Sequence, residues 1–277
     1  MERIADTLGV ALESLMRRGE ATEGDWRDED GILICGKCGE AKETVVSMLG
    51  REAIVPCMCK CQMDAYKKKT ERFAEEQRRM RIQRLRDDGI RDGKLRNCRF
   101  ATAADSIYIQ KCKEFTEHWD AIRDGNTGLL IYGDVGTGKT FAAACIANEL
   151  LDKGVPVLMT SFPEILNTTR NDMAALMREA KEYDLVIVDD LGAERDTEYA
   201  TEIVQQFIDA RYRSEKPLIV TTNLTLNDLQ NQRDTRYRRI YDRILEMCVP
   251  FKFSGGSMRV GKRAEKAELL RQIISGT

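Results

Sequence analysis

No apolar run in this chain approaches the roughly 18 residues that a membrane-spanning helix needs, and the opening stretch MERIADTLGV has no apolar signal core. Membrane insertion and export are not expected, and the chain reads as cytoplasmic. Internal repeats and low-complexity tracts are absent as well, so a stacked repeat array is not expected. Net charge is nearly absent too, at −2, but the total hides a division along the chain. Residues 1–34 carry nine acids against four bases, residues 67–86 nine bases against three acids, and residues 233–266 ten bases against four acids. The acidic end points to a protein partner, and the two basic stretches make contact with nucleic acid possible; solvated helix faces are the bland reading of the 67–86 run.

What is present is enough apolar sequence for a core. With 42% hydrophobic and 32% charged residues the chain is not disordered overall, and 277 residues leave room for one domain of about 150 to 200 residues plus a smaller one.

Five of the nine cysteines fall in CGKCGEAKETVVSMLGREAIVPCMCKC. Cys35 and Cys38 form a C-x-x-C pair, and Cys57, Cys59 and Cys61 follow after an 18-residue gap. Two thiolate pairs at this separation match a tetrahedral zinc site, each short knuckle presenting two sulfurs while the gap forms a small hairpin or loop. A reducing cytosol favours metal over disulfides. Unliganded thiols in a small core and a labile redox site are the competing readings. Spacing does not decide among the last three cysteines; Cys35, Cys38, Cys57 and Cys59 are the preferred set, with Cys61 as the substitute. Cys98, Cys112, Cys145 and Cys248 are scattered and read as packing residues.

From Asp64 the composition changes. DAYKKKTERFAEEQRRMRIQRLRDDGIRDG has strong helix formers, alternating charge and no proline, which predicts a polar helix joining two domains. The expected division is an N-terminal region over 1–63, a charged helical linker over 64–96 and a third region over 97–277.

The second half alternates short apolar runs with helical patterns, the signature of a parallel sheet with crossover helices. Strands are expected at 128–133, 155–160, 184–190, 217–223 and 248–253, and helices at 139–152, within 162–182, at 198–213 and at 235–247. The first strand runs into GDVGTGKT, which matches the phosphate-binding pattern G-x-x-x-x-G-K-[ST]. Gly133, Asp134, Val135, Gly136, Thr137 and Gly138 would wrap backbone N–H groups around phosphate oxygens. Lys139 would neutralise β/γ charge, and the Thr140 hydroxyl would ligate Mg²⁺.

Fifty residues on, YDLVIVDDLGAER takes a buried strand into adjacent carboxylates. Asp189 is placed for the metal and Asp190 to polarise an attacking water, one methylene shorter than a glutamate would be. Glu194 is a second candidate base, and a simple strand-end cap is the bland reading of Asp190. In IVTTNL, Asn223 follows the fourth strand, where a polar side chain could orient the water or touch the γ-phosphate. Arg236, Arg239 and Arg243 share a helical face, either as a solvated surface or as the source of an arginine finger.

GDVGTGKT, VIVDDLGAE, TTN, RRIYDRI and a later SMR, in this order, resemble the AAA+ ATPases of bacterial and phage replicative helicase loaders of the DnaC/DnaI type. The resemblance takes in DGIRDGKLRNCRF and the N-terminal cysteine knuckles, so it covers nearly everything beyond about the first 30 residues. IstB-type transposition ATPases share the ATPase motifs. The resemblance implies an α/β P-loop AAA+ domain with a five-stranded parallel sheet flanked by helices, preceded by a small zinc-binding domain and a helical linker. It implies ATP, Mg²⁺ and Zn²⁺ as cofactors, Asp190 as base, Asn223 as first sensor, Arg243 as the finger reaching a neighbour's γ-phosphate and Arg259 as second sensor. Adjacent aspartates occur among such loaders, so the short acid does not exclude hydrolysis. The function expected is ATP-dependent loading of a replicative ring helicase onto single-stranded DNA by a homo-oligomer. The alternatives are an ATPase regulating DNA transposition and an adaptor that binds ATP without hydrolysing it.

Overall fold

The computed structural model describes residues 19–48, 51–168, 170–192, 197–256, 270–271 and 274. Two compact units, Met1–Arg78 and Arg79–Thr277, divide the chain.

In the first unit β1 (Trp26–Arg27) pairs antiparallel with β2 (Leu33–Ile34), and β3 (Glu43–Met48) pairs antiparallel with β4 (Arg51–Pro56). Among the described residues of this unit the buried apolar side chains are Leu33, Ile34, Cys35 and Cys59, and buried ion-paired groups accompany them. Glu43, 1% exposed, pairs with Arg27 at 2.6 Å and accepts the backbone N–H groups of Leu33 and Gly19. Lys42 is buried against Asp25, which also accepts the N–H of Gly36. A buried charge is tolerated only when its polar atoms are matched in this way.

Helix α1 (Lys60–Gly89) is the expected polar helix: 30 residues of strong helix formers with most side chains exposed. It begins four residues before the expected boundary at Asp64.

The second unit is built on a five-stranded sheet. In chain order it runs α2 (Ile107–Glu117), α3 (Trp119–Asp124), β5 (Gly128–Gly133), α4 (Lys139–Asp152), β6 (Val157–Ser161), α5 (Phe162–Leu166), α6 (Arg170–Glu182) and β7 (Leu185–Leu191). There follow α7 (Glu198–Tyr212), β8 (Leu218–Thr222), α8 (Leu226–Gln230), α9 (Thr235–Met247) and β9 (Cys248–Phe253). All pairings are parallel, in the order β6-β7-β8-β5-β9, so the α/β architecture and strand count expected from the sequence are present.

Strands β5 to β8 are apolar on both faces, as a parallel sheet covered by crossover helices requires, whereas the edge strand β9 exposes Val249, Pro250 and Lys252. Leu130, Leu158, Val186, Val188, Leu218 and Val220 face one core with Phe207, Ile240 and Ile244. Their neighbours Ile131, Val157, Met159, Leu185, Ile187 and Ile219 face the other with Ile146, Leu150 and Trp119. The period of two thus splits these four strands between two cores.

Beneath the sheet's lower edge, fully buried Arg211 donates to the carbonyls of Ala180, Tyr183, Asp184 and Pro217. One guanidinium thereby fastens the end of α6 to the segments entering β7 and β8. Burial pushes its pKa down to about 9.

Candidate functional site: a phosphate-binding cleft and a four-thiol cluster

The cleft forms at the C-terminal ends of β5, β7 and β8, where open α/β sheets bind ligands. The loop after β5 closes on α4, whose N-cap Gly138 has φ 94°, a left-handed conformation that costs glycine nothing. That turn sets the N-terminus of a 14-residue helix at a cleft of about 520 Å³. Val135, Gly136, Gly138, Lys139, Thr140, Asp190 and Asn223 line it. Ala103 and Ala104 close one side and lead into an adjoining hollow of about 410 Å³ walled by Tyr108, Phe141 and Phe253.

Residues far apart in sequence converge there. The Lys139 ammonium donates to the Gly133 and Asp134 carbonyls, both at 2.8 Å, and to Asn223 Oδ1 at 2.7 Å. The Thr140 hydroxyl donates to Asp189 Oδ1 at 2.9 Å. Thr137 closes the loop on itself by donating to the Asp134 carbonyl. Burial raises the Asp189 carboxyl above the usual carboxylate range and the Asp190 charge adds to this, against the hydrogen bonds from Thr221 and Thr140.

The two acids sit on a bulge. Val188 pairs with Val220 and Leu191 with Thr222, so Asp189 and Asp190 together face the single residue Thr221. Asp190 has φ 59°, and Gly192 just beyond has φ 92°. Thr221 and Thr222 were not singled out from the sequence; their signal was the paired hydroxyls before Asn223 in IVTTNL.

Arg243 does not line this cleft. On α9 it pairs with Asp209 of α7 and lies 5.6 Å over the Tyr212 ring. Arg236, on the same helix, pairs with Asp234 at 2.6 Å, and Arg239 is exposed. Glu194 and Arg259 lie outside the described residues.

The thiol cluster corrects one preferred ligand. The Sγ atoms of Cys35, Cys38, Cys59 and Cys61 all lie within 4.8 Å of one another, whereas Cys57 is outside the group and points its thiol at the Ala41 carbonyl. Cys57 still belongs to the hairpin, its N–H bonded to the Lys42 carbonyl at 2.7 Å. The chain then turns into α1 and carries Cys59 and Cys61 across to the first knuckle, which Gly39 closes by donating to the Cys35 carbonyl. Backbone N–H groups of Cys38 and Lys37 bring Cys35 down to about 6, and those of Cys61 and Glu40 lower Cys38. Cys61, hydrogen-bonded with Cys59 and Cys35, is pushed up to about 12. Four sulfurs this close, two of them with N–H donors favouring the thiolate, fit a tetrahedral soft-metal site.

Among curated proteins, "Replicative helicase loader DnaC" of Escherichia coli (strain K12) is 29% identical over 167 residues, covering 56% of this chain and 66% of that protein. "Replicative helicase loader DnaI" of Bacillus subtilis (strain 168) is 25% identical over 166 residues, covering 54% of this chain and 53% of that one. The chain therefore spans just under two thirds and about half of the lengths of these relatives. Among solved structures, the crystal structure of DnaI superposes with a TM-score of 0.50 at 23% identity, over 58% of this chain and 93% of that one. The crystal structure of the DnaC helicase loader does so with a TM-score of 0.50 at 19% identity, over 58% and 99%. The shared part is the fold of the P-loop unit. The family described as IstB-like ATP binding protein matches residues 59–266, which take in the cleft and well over half of the sequence, and the chain belongs to that family.

Proposed function

We propose that this protein is an Mg²⁺-dependent ATPase that loads a replicative ring helicase onto single-stranded DNA. The observation that carries the catalytic part is the convergence of Lys139, Thr140, Asp189, Asp190 and Asn223 from three strand ends on one cleft, with Lys139 bonded to Asn223 and Thr140 to Asp189. The hard oxygen donors of Thr140 and Asp189, 2.9 Å apart, fit a divalent cation such as Mg²⁺. When bound there, such a cation neutralises charge on the β- and γ-phosphates.

The chain's own groups do the rest. N–H groups at the start of α4 hold the phosphates, and Lys139 exchanges part of its carbonyl and Asn223 contacts for β/γ oxygens. Asp190 accepts the proton of the attacking water, which Asn223 orients, in the overall reaction ATP + H₂O → ADP + phosphate. The hollow beside Tyr108 and Phe253 accommodates the base. Arg243 acts in trans on a neighbouring subunit's nucleotide, and Arg259 acts as second sensor. Cys35, Cys38, Cys59 and Cys61 hold one Zn²⁺, which supplies cross-links that a small unit with little core lacks.

The loader assignment is supported by the likeness to the replicative helicase loaders DnaC and DnaI, together with the acidic N-terminal stretch and the basic run on α1. In this reading the N-terminal unit grips the helicase in the cytoplasm, while ATP holds the assembled ATPase units in one conformation until DNA or helicase triggers release. A transposition ATPase is the second reading, favoured by the IstB-like family description. Co-purification of the tagged protein separates them: a ring helicase as the retained partner supports loading, and a transposase overturns it. Phosphate release measured with Lys139→Ala as the negative control tests hydrolysis.

A further inference from the structure

The two acids of the cleft are held by a residue that is not among those lining it. Thr221 is fully buried on β8, opposite the bulge where β7 contributes two residues to its one. Its hydroxyl donates to Asp189 Oδ1 and accepts the backbone N–H of Asp190 at 3.1 Å. A single oxygen therefore uses its only proton on one acid and a lone pair on the backbone of the next. Thr222 supports the same bulge from the other side: its hydroxyl donates to the Leu191 carbonyl at 2.7 Å and accepts the Leu224 N–H at 3.0 Å. Asp190 sits between these clamps at φ 59°, a conformation that a non-glycine residue keeps only when its surroundings fix it.

We propose that Thr221 is the positioning residue of the ATPase site, setting the Asp189 carboxylate toward Thr140 and the Asp190 carboxylate toward the attacking water by holding the bulge in its left-handed state. The inference rests on the ATPase reading above. Its physical content is that the part-buried N–H of a bulged residue needs a partner, which the ladder no longer supplies once two residues face one. Val at 221 keeps the branched shape and loses the oxygen. The Asp190 N–H then has no acceptor from β8, and relaxing the bulge toward regular strand turns the Asp190 side chain away from the cleft. Ser keeps the oxygen and loses only a methyl group. Asn223 follows two residues later, so the same strand end carries the water-orienting amide and the clamp that aims the base.

The test is steady-state ATPase kinetics with nucleotide affinity measured separately by titration, on the full chain and on Thr221→Val, Thr221→Ser and Thr221→Ala. The expected result is a loss of about ten- to a hundredfold in kcat for Val and Ala, the scale of an ångström-level misplacement. ATP Kd should stay within about threefold of the parent, and Ser should recover most of the turnover. Val or Ala turning over like the parent overturns the proposal. So does a Ser variant as slow as Val, because a role in packing alone would follow shape rather than the hydroxyl. Should Val fail to fold, the comparison of Ser with Ala decides by the same criterion. A parent chain that turns over no ATP when assembled overturns the ATPase reading and this inference with it, an outcome distinct from a competent parent whose Thr221 variants are unchanged.

Discussion

Lys139 and Asn223, 84 positions apart in sequence, share a 2.7 Å hydrogen bond across the cleft. The bond gives the ammonium a partner within the protein, alongside the Gly133 and Asp134 carbonyls. In the proposed ATPase cycle, an arriving γ-phosphate would compete with the Asn223 amide for that charge and free the amide to meet the water. Asn223→Ala should therefore bind ATP about as well as the parent, because a lost competitor offsets a lost contact, and hydrolyse it about 10²-fold more slowly. Nucleotide titration set beside phosphate release checks this; a large loss of affinity at unchanged kcat would assign Asn223 to binding instead.

The second acid is short because of where it sits. Asp190 has φ 59° on a bulge, and aspartate enters the left-handed region more readily than residues with longer side chains. Asp190→Glu should not raise turnover, and it should lower the melting temperature by the few degrees that about 1 kcal/mol produces in a unit of this size. Asp190→Asn fits the same backbone, so it should keep its stability and bind ATP while losing hydrolysis. Turnover in Asp190→Asn equal to the parent's would remove Asp190 as base and turn attention to Glu194.

Much of this fold is written in short-range pattern. The five strands and four of the helices of the P-loop unit follow from apolar runs bounded by turn residues, and the phosphate loop from a spacing whose glycines serve the turn itself. The features that stayed hidden depend on pairing across elements. Nothing in VIVDD says that Thr221 will face two residues of β7, since register is a property of two strands. Arg211 likewise reads as one more surface arginine of α7 until α6, β7 and β8 close around it. The gap between knuckles reads in sequence as a small hairpin or loop, and it forms the hairpin Glu43–Met48 with Arg51–Pro56, but its register and the side from which the second knuckle approaches are not written in spacing.

That approach separates Cys57 from Cys61. Cys57 continues the hairpin with its N–H on the Lys42 carbonyl, while Cys61 lies in the first turn of α1 within reach of Cys59 and Cys35. Elemental analysis of protein purified without chelator should find about one zinc per chain. Cys57→Ser should retain it, and Cys61→Ser should lose it or bind it far more weakly. Removing the metal should loosen residues 35–61, because a unit this small has little core of its own, and leave ATP binding intact. Zinc retained by Cys61→Ser and lost by Cys57→Ser would reverse the assignment.

Arg243 supplies the sharpest test of assembly, because within its own chain it is already engaged. It pairs with Asp209 on α7 and lies over the Tyr212 ring, away from the residues that line its own cleft. A guanidinium acting on a neighbour's γ-phosphate must leave Asp209 or share it, so the ion pair competes with the catalytic contact. Removing the competitor's charge should then favour the trans contact: Asp209→Asn should reach half-maximal ATPase activity at lower protein concentration than the parent. Arg243→Ala should bind ATP normally and hydrolyse it poorly, with a loss of up to about 10³ to 10⁵ if it behaves as arginine fingers do elsewhere. Mixing Arg243→Ala with Lys139→Ala should restore part of the activity, since one interface in the mixture combines an intact phosphate loop with an intact arginine. The mixture must be shown to co-assemble, by crosslinking or light scattering. Co-assembled inactive parents that recover nothing, together with an Asp209→Asn variant of unchanged concentration dependence, would return Arg243 to a purely structural role in fastening α9 to α7.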